Sequence, residues 1–326
     1  MIARWKLKTR MIQCDRIVLM GILNATPDSF SDGGRYAKDG QGFEVDLDAF
    51  VDAARKLIRD GAGILDVGGE STRPGIDPVD EAEELRRVVP AVRALKEAFD
   101  APISVDTYRP AVADAVLEAG AEIINDVGAG RYIGSQKRFA QEDEAAFPEE
   151  MAEVVQRHNA AVVLMHMRDV PKTMQATTPE YPNGVSNEVY AFLARRCDAF
   201  LEQGVPLEQI AFDPGLGFGK TVEQNWELLR DVEKLHTLGG VLLVGDSRKR
   251  FLMETARQFN EARGVSADDD VDPDAIRTRD FATAATTVAL ARKGVQIARV
   301  HNVALSAFAL DLARRSGSLD CESESA

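Results

Sequence analysis

The sequence predicts a single (β/α)8 barrel, because short apolar runs alternate with amphipathic segments along 326 residues. Each run is followed by a polar or glycine-rich turn and then by apolar residues at helical spacing. A strand followed by a helix, repeated eight times, is typical of a closed parallel barrel. The length alone would allow two domains, but single barrels of this class commonly reach such sizes.

Eight runs rich in β-branched and aliphatic residues are predicted as strands. They are Ile17–Leu23, Ile64–Val67, Ile103–Asp106, Ile123–Asp126, Ala161–Met165, Gln209–Asp213, Val241–Gly245 and Gln296–Val300. Helical spacing of apolar residues follows in Asp48–Arg59, Ala82–Phe99 and Val222–Leu235. Where a helix should end before a strand, glycine recurs, and it suits the left-handed backbone of that position. These glycines are Gly61, Gly120, Gly204 and Gly294.

The chain divides into an N-terminal extension (1–15), the barrel domain (16–315) and a tail (316–326). The tail has the low hydrophobicity of a disordered end. Residues 129–150 and 257–275 look like insertions after the fourth and seventh strands, and their polarity predicts solvated loops.

A formal net charge of −14 argues against nucleic-acid or anionic-membrane partners, which would be repelled. No apolar run reaches the roughly 18 residues needed to span a bilayer, and no signal-peptide core follows the basic N-terminus. Cys14, Cys197 and Cys321 are odd in number and far apart, so they form neither a disulfide framework nor a zinc site. Free thiols in a reducing cytoplasm are the expectation.

Polar residues stand at the end of every predicted strand, where the active site of such a barrel lies. They are Asn24, Gly68–Gly75, Asp106, Asn125–Asp126, His166, Asp213–Gly215, Ser247–Lys249, and Arg299 with His301. A single Asp, Asn or Ser could simply cap the next helix. Helix N-termini disfavour cations, however, so Arg73, Lys249 and Arg299 point to an anionic ligand. In so acidic a protein, they predict a substrate with phosphate or carboxylate groups.

The acceptors among these residues suggest what else the substrate carries. Asp106, Asn125 and Asp213 would suit a flat heterocycle with an amidine-like edge, since a carboxylate accepts from two adjacent N–H groups. The arginines, the histidine and Asn24 would suit a diphosphate with Mg²⁺, which prefers oxygen ligands. With neither a cysteine nucleophile nor a His/Cys metal cluster, covalent catalysis and zinc hydrolysis are disfavoured.

The segment Gly215–Thr221 (GLGFGKT) looks like a phosphate-binding P-loop but lacks its first glycine, because Pro214 stands there. We predict instead a tight turn that places Phe218 over the ligand.

Two long segments carry a resemblance to a known family. Met20–Gly34 (MGILNATPDSFSDGG) resembles the first signature of dihydropteroate synthases, and Gly61–Gly75 (GAGILDVGGESTRPG) resembles the second. Shorter blocks follow in family order at Ser104–Thr107, Ile124–Val127, Leu164–Met167, Phe212–Gly215, Ser247–Lys249 and Arg299–His301. The resemblance covers roughly residues 16–315. It implies a homodimeric enzyme that joins a dihydropterin diphosphate to p-aminobenzoate.

The resemblance also implies roles for single residues. The pterin would meet Asp106, Asn125, Met167, Asp213, Lys249 and Arg299. The pyrophosphate would meet Asn24, Thr72, Arg73, Arg299 and His301. The p-aminobenzoate would meet Phe30, Pro74, Phe218, Ser247, Lys249 and Arg250. Catalysis would depend on Asp106, Lys249, Arg73 and His301, and Asn24 would ligate Mg²⁺.

Two other functions stay open: a catalytically silent pterin-binding paralogue, and a methyltetrahydrofolate-dependent methyltransferase. The chain departs from the family pattern at Ala25, Asp246 and Asn302. Asp246 precedes the Ser-Arg-Lys block, where the family usually has a small neutral or hydroxyl residue. We expect its carboxylate to cap the short helix that follows, rather than to repel the aminobenzoate carboxylate.

Overall fold

The computed structural model describes residues 4–26, 45–70, 79–140, 149–168, 180–264 and 271–319. Within these ranges, eight parallel strands close into a barrel in chain order, which confirms the predicted fold. The barrel strands are β3 (Val18–Asn24), β4 (Ala62–Gly68), β5 (Ile103–Asp106), β6 (Ile123–Asp126), β9 (Ala161–Met165), β10 (Ile210–Asp213), β11 (Val241–Val244) and β12 (Ile297–Val300). Their bounds differ from the predicted ones by at most two residues.

Helices surround the barrel and bury one face each against the strands. They are α1 (Leu47–Arg59), α2 (Glu81–Ala98), α3 (Pro110–Ala119), α4 (Glu150–His158), α5 (Val185–Glu202), α6 (Val222–Asp231), α7 (Arg250–Arg263), α8 (Ile276–Arg292) and α9 (Val303–Arg315). The predicted helix at 222–235 ends early, and a 3₁₀ turn at Val232–Leu238 continues it. All four predicted helix-end glycines have positive φ, as the left-handed cap requires.

The N-terminal extension closes the end of the barrel that lies opposite the carboxyl ends of the strands. It forms a hairpin of β1 (Arg4–Lys6) and β2 (Met11–Gln13), and Trp5 is fully buried among barrel-interior side chains such as Met20 and Ile64. The Trp5 indole N–H donates to the carbonyl of Gln209 at 3.1 Å. The other end, where the carboxyl ends of the strands meet, is called the barrel mouth.

The prediction of solvated loops at the two insertions is wrong in part. Residues 132–139 carry a short hairpin, β7 (Tyr132–Ile133) and β8 (Arg138–Phe139), whose aromatic rings pack on Tyr108 with centroids 5.0 Å apart. Arg131 is buried, and it donates to backbone carbonyls, including that of Met167, which satisfy its guanidinium. The second insertion begins inside α7, which runs to Arg263.

Residues 320–326 of the predicted tail lie outside the described ranges. Across the helices that are described, none combines the length and apolarity needed to cross a membrane.

Candidate active site

Three of the predicted polar residues lie at one level of the barrel mouth because their strands pair in register. Asn24 pairs with Gly68, Gly68 with Asp106, and Asp106 with Asn125. Neighbouring strands in a sheet are about 4.8 Å apart. A row of amide and carboxyl groups therefore lines one side of the mouth.

Arg299 reaches this row from β12, which pairs with β3 at one end of the row. Its Nε lies 2.6 Å from Oδ2 of Asp66, and one terminal nitrogen lies 3.0 Å from Oδ2 of Asp106. Asn125 also donates to Asp66 Oδ2, at 3.4 Å. Sequence reasoning missed Asp66, which is fully buried inside a predicted strand. The available signal was a charged residue within an otherwise apolar run.

Burial shifts the proton affinities of the groups around Arg299. It raises the pKa of Asp106 to about 7. The positive charge of Arg299 opposes this rise, and the negative charge of Asp66 adds to it. Burial also raises the pKa of Asp213, which Lys249 opposes. Burial lowers the pKa of the Lys249 ammonium to about 8, and Asp213 opposes this shift. Acids and bases whose pKa values are shifted from their usual range in this way are typical of functional sites.

The glycine-rich segment after β10 brings Lys249 to the mouth. Gly215 has φ +67°, and a Cβ there would lie 1.9 Å from the carbonyl oxygen of His166, so only glycine fits. The Lys249 ammonium donates to the carbonyl of Leu216 and lies 4.6 Å from the ring centroid of Phe218. Lys220 donates to the carbonyls of Gly215 and Phe218, at 2.8 and 3.2 Å. This lysine braces the predicted tight turn.

Ser247 and His301 come together where β11 and β12 end. The Ser247 Oγ accepts the backbone N–H of His301 at 3.1 Å and lies 3.0 Å from its Nδ1. Close by, α7 begins at Arg250, and no described side chain caps its first turn. An uncapped helix N-terminus is suited to bind a carboxylate or phosphate.

The prediction that Asp246 caps this helix is wrong. A turn closed by the Lys249 N–H and the Asp246 carbonyl, at 3.1 Å, delays the helix, and Lys249 becomes the N-cap residue. The Asp246 side chain is 1% exposed and interacts with the hydroxyl of Thr286 on α8, not with the first turn of α7. Asn302, another departure from the family pattern, caps α9 by accepting from Leu305 N–H at 3.0 Å.

The remaining predicted residues are distributed around the mouth. Met167 is fully buried in a cluster that includes Tyr108, Met165 and Phe218. His166, in contrast, packs edge-on against Phe192 of α5, and burial keeps its pKa far below the usual range. It is therefore a neutral part of the core. Four predicted residues lie outside the described ranges: Phe30, Thr72, Arg73 and Pro74.

The described residues contain no group of three or more His, Cys, Asp or Glu side chains arranged to hold a metal ion. Asn24 is partly exposed at the end of β3. Its Oδ1 would lie 3.1 Å from a Cβ at position 68, so Gly68 leaves room for this side chain.

Comparisons with known proteins agree with this geometry. The family model described as "Pterin binding enzyme" matches residues 20–301. A dihydropteroate synthase of Streptococcus pyogenes is 40% identical over 285 residues, which are 87% of this chain and 90% of that protein. One from Synechocystis is 39% identical over 288 residues, or 88% of this chain and 86% of its own.

Solved structures give the same result. Dihydropteroate synthase of Yersinia pestis, with a sulfonamide drug complex, superposes with a TM-score of 0.78 at 33% identity over 97% of this chain and 99% of its own. The Xanthomonas albilineans enzyme with 4-aminobenzoic acid gives 0.77 at 34% identity, over 98% and 100%. Barrel and mouth are those of a pterin-binding enzyme. Within that class, the chain belongs to the dihydropteroate synthase family.

Proposed function

We propose that this chain condenses 6-hydroxymethyl-7,8-dihydropterin diphosphate with p-aminobenzoate, giving 7,8-dihydropteroate and pyrophosphate in folate biosynthesis. The observation that carries the proposal is the grouping of buried acceptors with cations at the barrel mouth. Asp106, Asn125 and Asp213 are acceptors; Arg299 of β12 pairs with Asp106, and Lys249, from the loop after β11, is close enough to Asp213 to oppose the rise in its pKa. This grouping matches a substrate with a hydrogen-bonding heterocycle at one end and a diphosphate at the other.

The pterin would lie deepest. Asp213 Oδ1 accepts the N–H of Gly215 at 2.7 Å, which leaves Oδ2 to accept from the amidine edge. Asp106 and Asn125 would bond the rest of the ring edge, with Met167 beside it. Arg299 would lie against the pterin face, and Lys249 would bond its rim.

The diphosphate would face Arg299, His301 and Asn24. Ser247 Oγ accepts the backbone N–H of His301 and can also accept from Nδ1–H, which leaves the Ser247 hydroxyl hydrogen for the aminobenzoate carboxylate. A neighbouring diphosphate would favour the protonated imidazole, whose Nε2–H would donate to it. Thr72 and Arg73 would add contacts from outside the described ranges. Asn24 would hold Mg²⁺ through its amide oxygen, and the ion would neutralise charge on the diphosphate.

The reaction would break the C–O bond between the pterin methylene and the diphosphate and form a C–N bond to the aryl amine, which then loses a proton. The site has cations where negative charge grows on the leaving group, and preorganised charges of this kind stabilise the transition state. Arg299, Lys249 and His301 would supply this stabilisation, with Arg73. Asp106 would hold the pterin ring in place.

The p-aminobenzoate would lie nearer the surface, against Phe218 and the aliphatic part of Lys249, with Phe30 and Pro74 also assigned to this pocket. Its carboxylate would bind at the uncapped N-terminus of α7, through the backbone N–H of Arg250 and the Ser247 hydroxyl. The Lys249–Phe218 contact supports this placement, because it forms a wall beside that helix end.

A homodimer is proposed from an apolar face shared by α8 and α9, which pack together. Phe281 is 68% exposed, Phe308 57% and Leu312 49%, and exposed apolar groups this large mark interaction sites when they cluster. Sedimentation velocity would test it: Phe308→Glu should give monomers, whereas Phe259→Glu, on α7, should not. Dimers in both variants would contradict the proposal.

A cytoplasmic location is also proposed. It is supported by Cys14 and Cys197, which are buried and form no disulfide in the described chain. Cell fractionation of the tagged full chain would test it.

A coupled pyrophosphate-release assay tests the activity. Release that requires both the dihydropterin diphosphate and p-aminobenzoate is expected, with Asp106→Ala as the inactive reference. A silent paralogue would bind pterin without release. A methyltransferase would release no pyrophosphate but would demethylate methyltetrahydrofolate.

A further inference from the structure

Behind the mouth, a buried carboxylate on α8 joins the two loops that carry Ser247 and His301. Asp280 is 6% exposed. Its Oδ1 accepts from Arg248 Nε at 2.6 Å, and its Oδ2 accepts from another Arg248 nitrogen at 3.1 Å and from Asn302 Nδ2 at 2.8 Å. One carboxylate therefore holds the loop after β11 and the loop after β12.

Arg248 has a backbone conformation that needs this support. It is the third residue of the turn that Asp246 and Lys249 close, and its φ of +59° is one that glycine usually supplies. The Arg248 N–H donates to the hydroxyl of Thr283, one turn along α8, at 3.1 Å. Both the backbone and the side chain of Arg248 are thus attached to α8. A glycine would fit the turn but would lose the side-chain anchor.

The residues on either side of Arg248 are the ones that face the mouth. Ser247 contacts His301, and Lys249 contacts Leu216 and Phe218. A bidentate guanidinium–carboxylate pair fixes direction as well as distance. Because Arg248 cannot turn without breaking that pair, the directions of the Ser247 and Lys249 side chains are set from α8.

We propose that Asp280 is a positioning residue for the substrates: through Arg248 and Asn302 it holds Ser247 and His301 in one arrangement. Asp280 itself contacts no substrate. The proposal rests on the proposed function in one respect, that Ser247 helps to bind the aminobenzoate carboxylate. The pterin-binding acids on β5 and β10 form no hydrogen bond with Asp280 in the described chain, so the pterin keeps these contacts even if Lys249 moves, and the effect should fall mainly on p-aminobenzoate.

The first experiment is steady-state kinetics of Asp280→Ala and Asp280→Asn. Both should raise the KM for p-aminobenzoate by about tenfold, the size of effect of one charge-assisted hydrogen bond. Pterin affinity, measured by calorimetry, should change by less than about threefold on the same scale. Asp274→Asn is the matched control, because Asp274 also pairs with arginines, Arg257 and Arg279, but is exposed and does not pair with Arg248. It should leave the KM unchanged.

The second experiment reads the arrangement directly. The chain has four histidines, so imidazole NMR signals can be assigned, with His301→Gln identifying one of them. Asp280→Ala should shift the His301 signals and leave those of His158 and His236, which bond to Asp114 and to the Lys293 carbonyl, in place. If Asp280→Ala does not fold, Thr283→Val removes the hydroxyl that accepts the Arg248 N–H and that donates to the Arg279 carbonyl within α8, and it should shift the same signals less.

The outcomes separate the two claims. Wild-type protein without turnover would defeat the proposed function, while the His301 signals would still report on Asp280. A wild type with turnover, combined with unchanged KM and unchanged His301 signals in folded Asp280→Ala, would overturn the positioning role. An equal rise of KM in Asp274→Asn would do the same.

Discussion

Arg299 lies between two carboxylates from different strands, with Asp66 Oδ2 2.6 Å from its Nε and Asp106 Oδ2 3.0 Å from a terminal nitrogen. The two acids differ in surroundings. Asp66 is fully buried, whereas Asp106 lies at the strand end, where a pterin would meet it. Asp66 thus holds the inner side of the guanidinium, and Asp106 can exchange between Arg299 and ligand.

Asp66→Asn should therefore impair the site without removing any group assigned to substrate. Both hydrogen bonds to Asp66 go to Oδ2, so an asparagine oxygen could still accept them, but it carries no negative charge and its bond to the Arg299 guanidinium is weaker. We expect kcat/KM for the dihydropterin diphosphate to fall by about tenfold or more, as for loss of one charge-assisted hydrogen bond. Asp126→Asn is the control. Asp126 is also a buried acid, but its oxygens accept from the backbone N–H groups of Gly128 and Gly130 instead of from Arg299. An unchanged kcat/KM in Asp66→Asn would show that Asp106 alone positions Arg299.

Asp213→Asn separates two duties of one carboxylate. An asparagine keeps Oδ1, which accepts from Gly215, and so preserves the turn. The second oxygen becomes an NH₂ donor facing the donors of the pterin. Pterin binding should weaken by about tenfold or more, the equivalent of roughly 1.5–3 kcal/mol, while Tm stays close to the wild-type value. Calorimetry with a pterin measures the first quantity. Unaltered affinity would reduce Asp213 to a cap of its loop.

Trp5→Ala tests the N-terminal hairpin as a stopper of the barrel. The indole is fully buried among interior side chains and donates to Gln209, and truncation leaves a cavity. The free energy of unfolding should drop by about 3–5 kcal/mol. The kcat of the folded fraction should be unchanged, because the mouth is at the other end. Met11→Ala, on the exposed side of the same hairpin, should have little effect. Normal stability of Trp5→Ala would mean that the hairpin is dispensable.

The mouth could be predicted from the sequence because parallel strands bring their carboxyl ends to one side. Asp106, Asn125 and Asp213 each follow an apolar run, and the repeated strand–helix alternation puts them together. The pairing of Arg299 with Asp66 could not be predicted, because it joins residues 233 positions apart across the barrel interior. Position along a strand says which residues are near the mouth, but not which of them pair.

The same limit explains the two wrong expectations. Residues 129–150 were expected to form a solvated loop because they are polar. Arg131, one of them, is instead bound by backbone carbonyls that the folded barrel brings to it. Asp246 looked like a helix cap because it precedes a helical stretch. The turn at Arg248, with its positive φ, moves the N-cap from Asp246 to Lys249, so Asp246 no longer caps the helix. Both errors arise from contacts that are distant in sequence or from an uncommon backbone angle.

Asp246→Asn gives a test that depends on pH. Burial raises the pKa of Asp246 to about 6, against the effects of a hydrogen bond with Thr286 and of the Lys249 charge, whereas an unfolded aspartate has a pKa of about 3.9. Between these values the folded state binds more protons than the unfolded state, so this group makes the protein less stable as the pH rises from about 4 to about 6. Above about 6 the destabilisation is complete, on the order of 1–3 kcal/mol.

The asparagine variant lacks this titration. Its stability relative to wild type should therefore improve as the pH rises from about 4 to about 6 and stay constant above that range. Urea unfolding at several pH values measures the difference. Asp60→Asn is the control of opposite sign, because the hydrogen bond from Lys56 at 2.7 Å lowers the pKa of Asp60. A stability difference for Asp246→Asn that does not vary with pH would contradict a buried, titrating carboxyl.

Asp246→Asn also decides whether this departure affects the substrate. Its carboxylate is 1% exposed, and the turn closed by Lys249 presents Ser247, rather than Asp246, to His301. We therefore expect the KM for p-aminobenzoate to change by no more than about threefold, or less than 1 kcal/mol. A fall of about a hundredfold would correspond to nearly 3 kcal/mol of like-charge repulsion removed. That result would mean that Asp246 opposes the aminobenzoate carboxylate and that the site is adapted to an amine without one.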